Sequence, residues 1–421
     1  MKKITTEALC ELIEERKSEL FELLSKYIKV DSRTFGNGGL ERELAEIIMN
    51  DCKGLGLGCE LYSPLEIEGF KELPDYMEGR ALENRPNMTA IWRGEKDENG
   101  LHIMGHSDTV GFGEIENWSF DPLCGKIEDG RVYGRGACDD KYALATAVFL
   151  IKLLRDMGFE PKKNLVFTAY CDEELGGSHG AMAAVLKAPS SRILNMDGRF
   201  VVWHCASGGQ VVTYKYHSEK TVDSAENGAR ALPLVLDEIA KFAKSRRTEL
   251  EANCNYDGTN IPATSLRYTG IKVGDNGTDL GVGEAEFTYY TDKNRDEIYE
   301  ELSKIEAILA EKLRPLGFIG DGFVPKTRFF HYGYCPKNAP EIVELQDAAR
   351  EACGEEIVVC GSCLSDLSVI FKYGGQNAFA FGSGRDFSME GGAHQPNEFI
   401  ECSDLLKYAK AVGAYILRTV G

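Results

Sequence analysis

A chain of 421 residues has room for about two to four domains and buries a core without help from disulfides or structural metals. With 43% hydrophobic and 27% charged residues its composition is globular, which excludes disorder as a global state. Lys and Arg number 48 against 67 Asp and Glu, and the resulting net charge of −19 argues against nucleic acid as a general partner.

The N-terminus, Met1 to Glu19, mixes charges of both signs and lacks an apolar h-region, so it does not read as a signal peptide. Thr5 and Thr6 precede a helix whose apolar face is Leu20, Leu23, Leu24, Tyr27 and Ile28. A second helix is predicted over Glu41 to Cys52. Short apolar runs follow at Met88–Trp92, Leu101–Met104, Leu165–Tyr170, Ile193–Met196 and Ala378–Phe381. Between the second and third of these lies a helical pattern, Lys141 to Met157, with Asp139 or Asp140 as cap and Gly158 as stop. Strands alternating with helices predict an α/β domain with a largely parallel mixed sheet flanked by helices.

The middle of the chain reads differently. A strand-like run (Gln210–His217) leads to a helical run (Arg230–Lys244), two more strand-like runs (Ser265–Val273, Glu284–Thr291) and a helix (Arg295–Leu313). This β-α-β-β-α order predicts an inserted two-layer α+β domain at 208–325, dividing a catalytic domain into 1–207 and 326–421. The thirteen cysteines are odd in number and scattered from Cys10 to Cys402, as expected of reduced thiols in a cytoplasmic protein. The longest useful apolar run, Tyr142–Ile151, is half of a membrane span, so no membrane partner is expected. The Asn-x-Ser/Thr triplets at Asn87, Asn117 and Asn276 then read as chance matches.

The acids and histidines fall where the strands end. Leu101–Met104 runs into Gly-His-Ser-Asp-Thr-Val at 105–110, Leu165–Tyr170 into Cys171-Asp172-Glu173-Glu174, and Ile193–Met196 into Asp197. In open α/β sheets ligands bind beyond the carboxyl ends of strands. Imidazole and carboxylate gathered on one such edge suit zinc and its neighbours. His106 and Asp108 are two apart and share a face of an extended chain, so one can hold a metal while the other supports it. Glu173 and Glu174 are adjacent and point apart, so one can bind metal while the other takes a proton.

These stretches resemble the signatures of the aminoacylase, acetylornithine deacetylase and succinyl-diaminopimelate desuccinylase family, the dinuclear metallohydrolases grouped as peptidase family M20. Gly105–Val110 is similar to the first signature. Trp118, Asp121-Pro122 and the run Asp129-Gly130-Arg131-Val132-Tyr133-Gly134-Arg135-Gly136-Ala137-Cys138-Asp139-Asp140-Lys141 resemble the second. Asp172-Glu173-Glu174 with Gly177-Ser178 and Gly180, Asn195-Met196-Asp197, and Gly392–Glu398 resemble the rest, in order. The resemblance implies that His106, Asp139 and Asp197 hold one metal and that Asp139 bridges to a second held by Glu174 and His394. It implies that Asp108 orients His106 and that Glu173 is the general base. It implies two divalent ions, zinc first, with cobalt or manganese as alternatives. The expected reaction is hydrolysis of the amide bond of a small N-acylated amino acid, with a di- or tripeptidase as the alternative. It also implies a lid and dimerisation domain at 208–325, and a homodimer formed through it.

The pattern departs from the family in the lid. The stretch Glu219–Arg230 has no His where many members carry one that reaches the substrate, and His217 is the nearby substitute. Tyr290-Thr291-Asp292-Lys293 stands where an Arg often follows the last lid strand, and the usual turn is missing around Asp279–Val282. Arg385, in Gly382-Ser383-Gly384-Arg385-Asp386, is a candidate clamp for a substrate carboxylate, with a loop salt bridge to Asp386 as the alternative. Cys360 and Cys363 have redox-motif spacing and are expected in the core. Asp140 is expected to cap the helix or pair with Lys141. The missing lid His motivates one rival reading, a non-catalytic metal-binding scaffold; Glu173 argues against it, since a base has no purpose in a structural site.

Overall fold

The computed structural model describes residues 4–220, 227–275 and 279–421. They form two compact units. The first takes the chain up to His204, Tyr334–Val359 and the chain from Val369 onward; the second takes Cys205–Gly333 and Cys360–Ser368. The predicted lid, 208–325, falls inside the second unit.

In the first unit α1 (Thr6–Glu15) starts where the Thr5 side chain accepts the amide of Ala8. Next come α2 (Lys17–Ile28), α3 (Glu41–Gly54), β1 (Gly58–Tyr62), β2 (Asn87–Trp92) and β3 (Lys96–His106). Then follow α4 (Lys141–Asp156), β4 (Lys163–Tyr170), α5 (His179–Lys187), β5 (Ile193–Asn195) and β6 (Val202–Ala206), whose last two residues are counted with the second unit. The second unit supplies β7 (Gly208–Ser218), α6 (Leu232–Glu251), β8 (Leu266–Asp275), β9 (Asp279–Thr291), α7 (Arg295–Leu313) and β10 (Phe318–Pro325). The chain then returns to the first unit with α8 (Pro340–Cys353), β11 (Ala378–Ala380) and α9 (Cys402–Val420).

The sheet of the first unit has a parallel centre, β11-β5-β3-β4. Beyond β4 it continues antiparallel through β2 and β1, and β6 lies antiparallel beside β11. Central parallel strands are covered on both faces, so they carry continuous apolar runs. Leu101, Ile103 and Met104 of β3 and Leu165, Val166 and Phe167 of β4 are buried accordingly. The helix α4 is buried from Lys141 through Ile151.

In the second unit four antiparallel strands run in the order β8-β9-β7-β10. Ala285, Phe287 and Tyr289 alternate along β9 onto one face. They meet Val235, Ile239 and Phe242 of α6 and Ile298, Leu302 and Leu309 of α7 in one core. The predicted β-α-β-β-α order is incomplete: it lacks β10, whose Gly320, Gly322 and Pro325 weaken the strand pattern. Two local expectations are also corrected. Cys360 is half-buried and Cys363 exposed rather than core, and all thirteen cysteines are free thiols. Asp140 sits at the N-cap of α4, but its side chain makes no capping hydrogen bond. Its carboxylate accepts the His106 N–H at 3.2 Å, and Lys141 donates to the Val30 carbonyl at 2.7 Å.

Candidate metal centre

The register of the parallel strands brings the site together. His106, the last residue of β3, is level with Tyr170, the last of β4, and Met104 with Asn195, the last of β5. The chain therefore leaves β4 into Asp172–Glu174 and β5 into Asp197 at the same sheet edge. Gly105 is needed beside His106, because a Cβ there would press on the Asp140 carboxylate and on Ala143. Asp139 precedes α4 through a cis peptide bond to Asp140, and His394 follows β11 in a loop, with φ +62°.

His106 Nε2 lies 2.9 Å from Asp139 Oδ1, and His394 Nε2 lies 3.3 Å from Asp139 Oδ2. One carboxylate thus faces two imidazoles, one oxygen to each. His394 Nε2 is also 2.7 Å from Glu174 Oε2, and Glu174 Oε1 accepts the Val110 N–H at 3.1 Å. Donor atoms of His106, Asp139 and Glu174 all lie within 4.8 Å of one another. His106 is fully buried, whereas the His394 side chain is 37% exposed, so the centre opens on the His394 side.

The electrostatics match. Burial opposes charge on His106, yet Asp139 raises its pKa well above the ordinary value. Burial likewise works against charged His394, but its bonds to Asp139 and Glu174 raise it to about 10. Burial would raise Asp139, but both histidines hold it well below the usual carboxylate range. Burial, with the Asp139 charge, pushes Glu174 up to about 7. Imidazoles held against carboxylates in a buried cluster form a donor set that fits divalent cations of the zinc type.

The other predicted residues take these places. The Asp108 carboxylate lies 3.7 Å from His106 Nδ1, and the hydrogen bond to that nitrogen, at 2.9 Å, is accepted by the Asp108 main-chain carbonyl. Its carboxylate instead accepts the backbone N–H groups of Glu173 and Glu174. Glu173 is half-buried and near enough that its charge acts on His106. Asp197 is half-buried, outside the three-residue donor cluster, and its charge acts on Asp140. Arg385 stacks on the Phe399 ring at 4.1 Å and donates to the Glu390 carbonyl at 3.2 Å. Asp386 pairs with Arg199 at 2.9 Å, so the alternative reading of Arg385, a loop salt bridge to Asp386, is not the contact seen. In the second unit His217 pairs with Asp321 at 2.8 Å, both exposed. Lys293, where an Arg was expected, pairs with Glu301 at 2.5 Å. Of the stretch Glu219–Arg230, residues 221–226 lie outside the described ones, as does Asn276.

Two supporting groups were assigned no role from the sequence. Arg135 binds Glu398 at 2.6 Å, and Glu398 accepts the N–H groups of Gly136 and Cys138, bracing the turn into Asp139. Arg85 binds Glu41 and Asp172 below the Glu173–Glu174 segment. Glu398 stood in a recognised motif, but Arg85 lies in a stretch without periodicity, and only the fold shows what it touches.

The model of peptidase family M20/M25/M40 matches residues 102–418, which contain this whole centre. The chain belongs to that family. It is a metallohydrolase of the amide-cleaving kind. It is 25% identical over 417 residues to an uncharacterized metallohydrolase of Methanocaldococcus jannaschii, covering 93% of this chain and 97% of that protein. It is 37% identical over 95 residues to a succinyl-diaminopimelate desuccinylase of Wigglesworthia glossinidia brevipalpis, covering 23% and 25%. In fold it matches human carnosine dipeptidase 1, with a TM-score of 0.73 at 15% identity over 98% of both chains. No helix among the described residues is long and apolar enough to cross a membrane.

Proposed function

We propose that the protein is a deacylase that hydrolyses the amide bond of a small N-acylated amino acid. Two divalent ions serve it, zinc first, with cobalt or manganese as alternatives. His106, Asp139 and Asp197 hold one ion; Asp139, Glu174 and His394 hold the other. The observation that carries this reading is Asp139, whose two oxygens face His106 and His394 separately. A carboxylate so disposed would be able to give one oxygen to each of two cations. Bound there, the ions would polarise the scissile carbonyl and acidify a water.

The chain's own groups supply the proton traffic. Glu173 takes the proton of the attacking water and delivers it to the leaving nitrogen, which is otherwise a poor leaving group. Asp108 fixes the backbone of Glu173 and Glu174. Arg385 binds a carboxylate of the substrate, with the N–H groups not given to Glu390. His217 is the lid's substitute for the family histidine. The lid forms a homodimer in the cytoplasm, and neither nucleic acid nor membrane is a partner.

Similarity to succinyl-diaminopimelate desuccinylases supports the deacylase, and similarity to a β-Ala-Xaa dipeptidase keeps a di- or tripeptidase as the alternative. The test is mass spectrometry of metal-reconstituted protein incubated with a pool of N-acyl amino acids and dipeptides, with Glu173→Ala as control. Turnover of N-acyl compounds by the wild type alone supports the deacylase. Turnover only of substrates with a free α-amino group moves the assignment to the peptidase.

A further inference from the structure

Beside Asp108 lies a buried charge network, Arg85 with Glu41 and Asp172, that the proposed roles do not use. We propose that Arg85 and Asp172 are positioning residues that set the place of Glu173 and Glu174. The inference rests on the reading of Glu174 as a ligand of one of two ions.

Arg85 is almost fully buried. Its Nη1 donates to Asp172 Oδ1 at 2.6 Å, its Nε to Glu41 Oε1 at 2.7 Å and its Nη2 to Thr34 Oγ1 at 3.2 Å. Its Nη2 is also 3.8 Å from Asp108 Oδ2. One guanidinium thus sits among three buried carboxylates, and two of them flank the functional pair. Asp108 accepts the N–H groups of Glu173 and Glu174 from one side. Asp172 precedes them in the chain on the other.

Asp172 is held from its far side as well. His179 Nε2 accepts the Met77 N–H at 3.0 Å, which puts the imidazole proton on Nδ1, and Nδ1 donates to Asp172 Oδ2 at 2.6 Å. Each oxygen of Asp172 therefore has its own donor. The residue needs that hold, because its φ is +63°, a conformation that side-chain-bearing residues adopt at a cost. Two glycines leave room for the network. A Cβ at Gly177 would overlap the Asp172 carboxylate, and one at Gly39 would overlap Glu41 and Arg85.

A carboxylate that binds metal is positioned by the groups behind it, and removing such a group typically costs about 10- to 100-fold in affinity or activity. Of the proposed ligands, Glu174 alone follows Asp172 in its loop. Loss of the network should therefore weaken one ion and spare the other.

The experiment titrates cobalt(II) into metal-free full-length protein and reads visible absorption and heat. Arg85→Met and Asp172→Asn remove the pair. Arg85→Lys keeps the charge, and Gly177→Ala presses on Asp172 with every charge in place, so the test survives if Arg85→Met does not fold. The expected result is one affinity about 10- to 100-fold weaker in Asp172→Asn and Gly177→Ala, the other unchanged, and partial recovery in Arg85→Lys relative to Arg85→Met. With a turned-over substrate, kcat falls and KM stays within about twofold. Variants that bind both ions like the wild type, or that lose both together, overturn the inference. A wild type that takes up fewer than two ions overturns the two-ion reading and this inference with it, and the wild-type titration alone reveals that case.

Discussion

Both carboxylate oxygens of Asp108 accept the backbone N–H of Glu173, at 3.1 and 3.0 Å, and one of them accepts that of Glu174 at 3.1 Å. Asp108 therefore acts on the base and on a metal ligand at once, through their main chain. Its own main-chain carbonyl holds His106, and that contact survives any change of side chain. Asp108→Ala is expected to lower kcat/KM about 10- to 100-fold. Kinetics with metal content measured on the same samples check it. An unchanged kcat/KM would show that the three N–H bonds contribute nothing to turnover.

Glu173→Gln removes the proposed base and leaves the ligand set intact. We expect kcat to fall about 10²- to 10⁴-fold with wild-type metal content. Dialysis against a chelator should abolish activity in the wild type, and divalent ions should restore it. A Glu173→Gln enzyme with near-normal kcat would place the base elsewhere.

Arg385→Ala tests the substrate clamp. Loss of a hydrogen-bonded charge partner is worth roughly 1.5–3 kcal/mol, so KM for a carboxylate-bearing substrate should rise about tenfold or more. An unchanged KM leaves Arg385 as a group that packs on Phe399.

His102 gives a pH dependence apart from the site. It is fully buried on β3, its Nε2 is 2.8 Å from Thr168 Oγ1, and burial lowers its pKa to about 4. The unfolded chain binds a proton there near pH 6.5 and the folded chain does not, so stability is lost as pH falls from about 6.5 to 4. Denaturant unfolding of the wild type should lose about 2 kcal/mol between pH 7 and 5 that His102→Gln does not lose. Parallel pH dependence in the two proteins would contradict it.

Phe287 sits in the core of the second unit, among residues of α6, α7 and β7. Phe287→Ala should cost about 3–5 kcal/mol of that unit's stability, read by chemical denaturation. A change below about 1 kcal/mol would mean that the surrounding side chains collapse into the space.

Much of this was legible in the order of residues, and the reasons are physical. The central strands read clearly because burial on both faces demands continuous apolar runs, as in Leu165–Tyr170. Of the candidate ligands, His106, Glu174 and Asp197 were legible because each follows such a run, whereas Asp139 and His394 were found only through the resemblance of their segments to family signatures. What failed to read were elements whose identity depends on partners far along the chain. The strand β10 carries two glycines and a proline and exists through its pairing with β7. Asp140 looked like a cap because it precedes a helix, but the amide it serves belongs to β3. Arg85 is surrounded in sequence by Asn84 and Pro86, and its carboxylates arrive from residues 41, 108 and 172.

The proposed ligand set is drawn from residues 106, 139, 174, 197 and 394, with the whole second unit intervening before the last. No short stretch of the chain holds more than one of these residues. During synthesis, a chain still lacking its final loop and α9 has no His394 to offer. On the proposed assignment, the ion that needs His394 would be captured only after residue 394 is made, and occupancy of both positions would report that the two halves of the first unit have found each other.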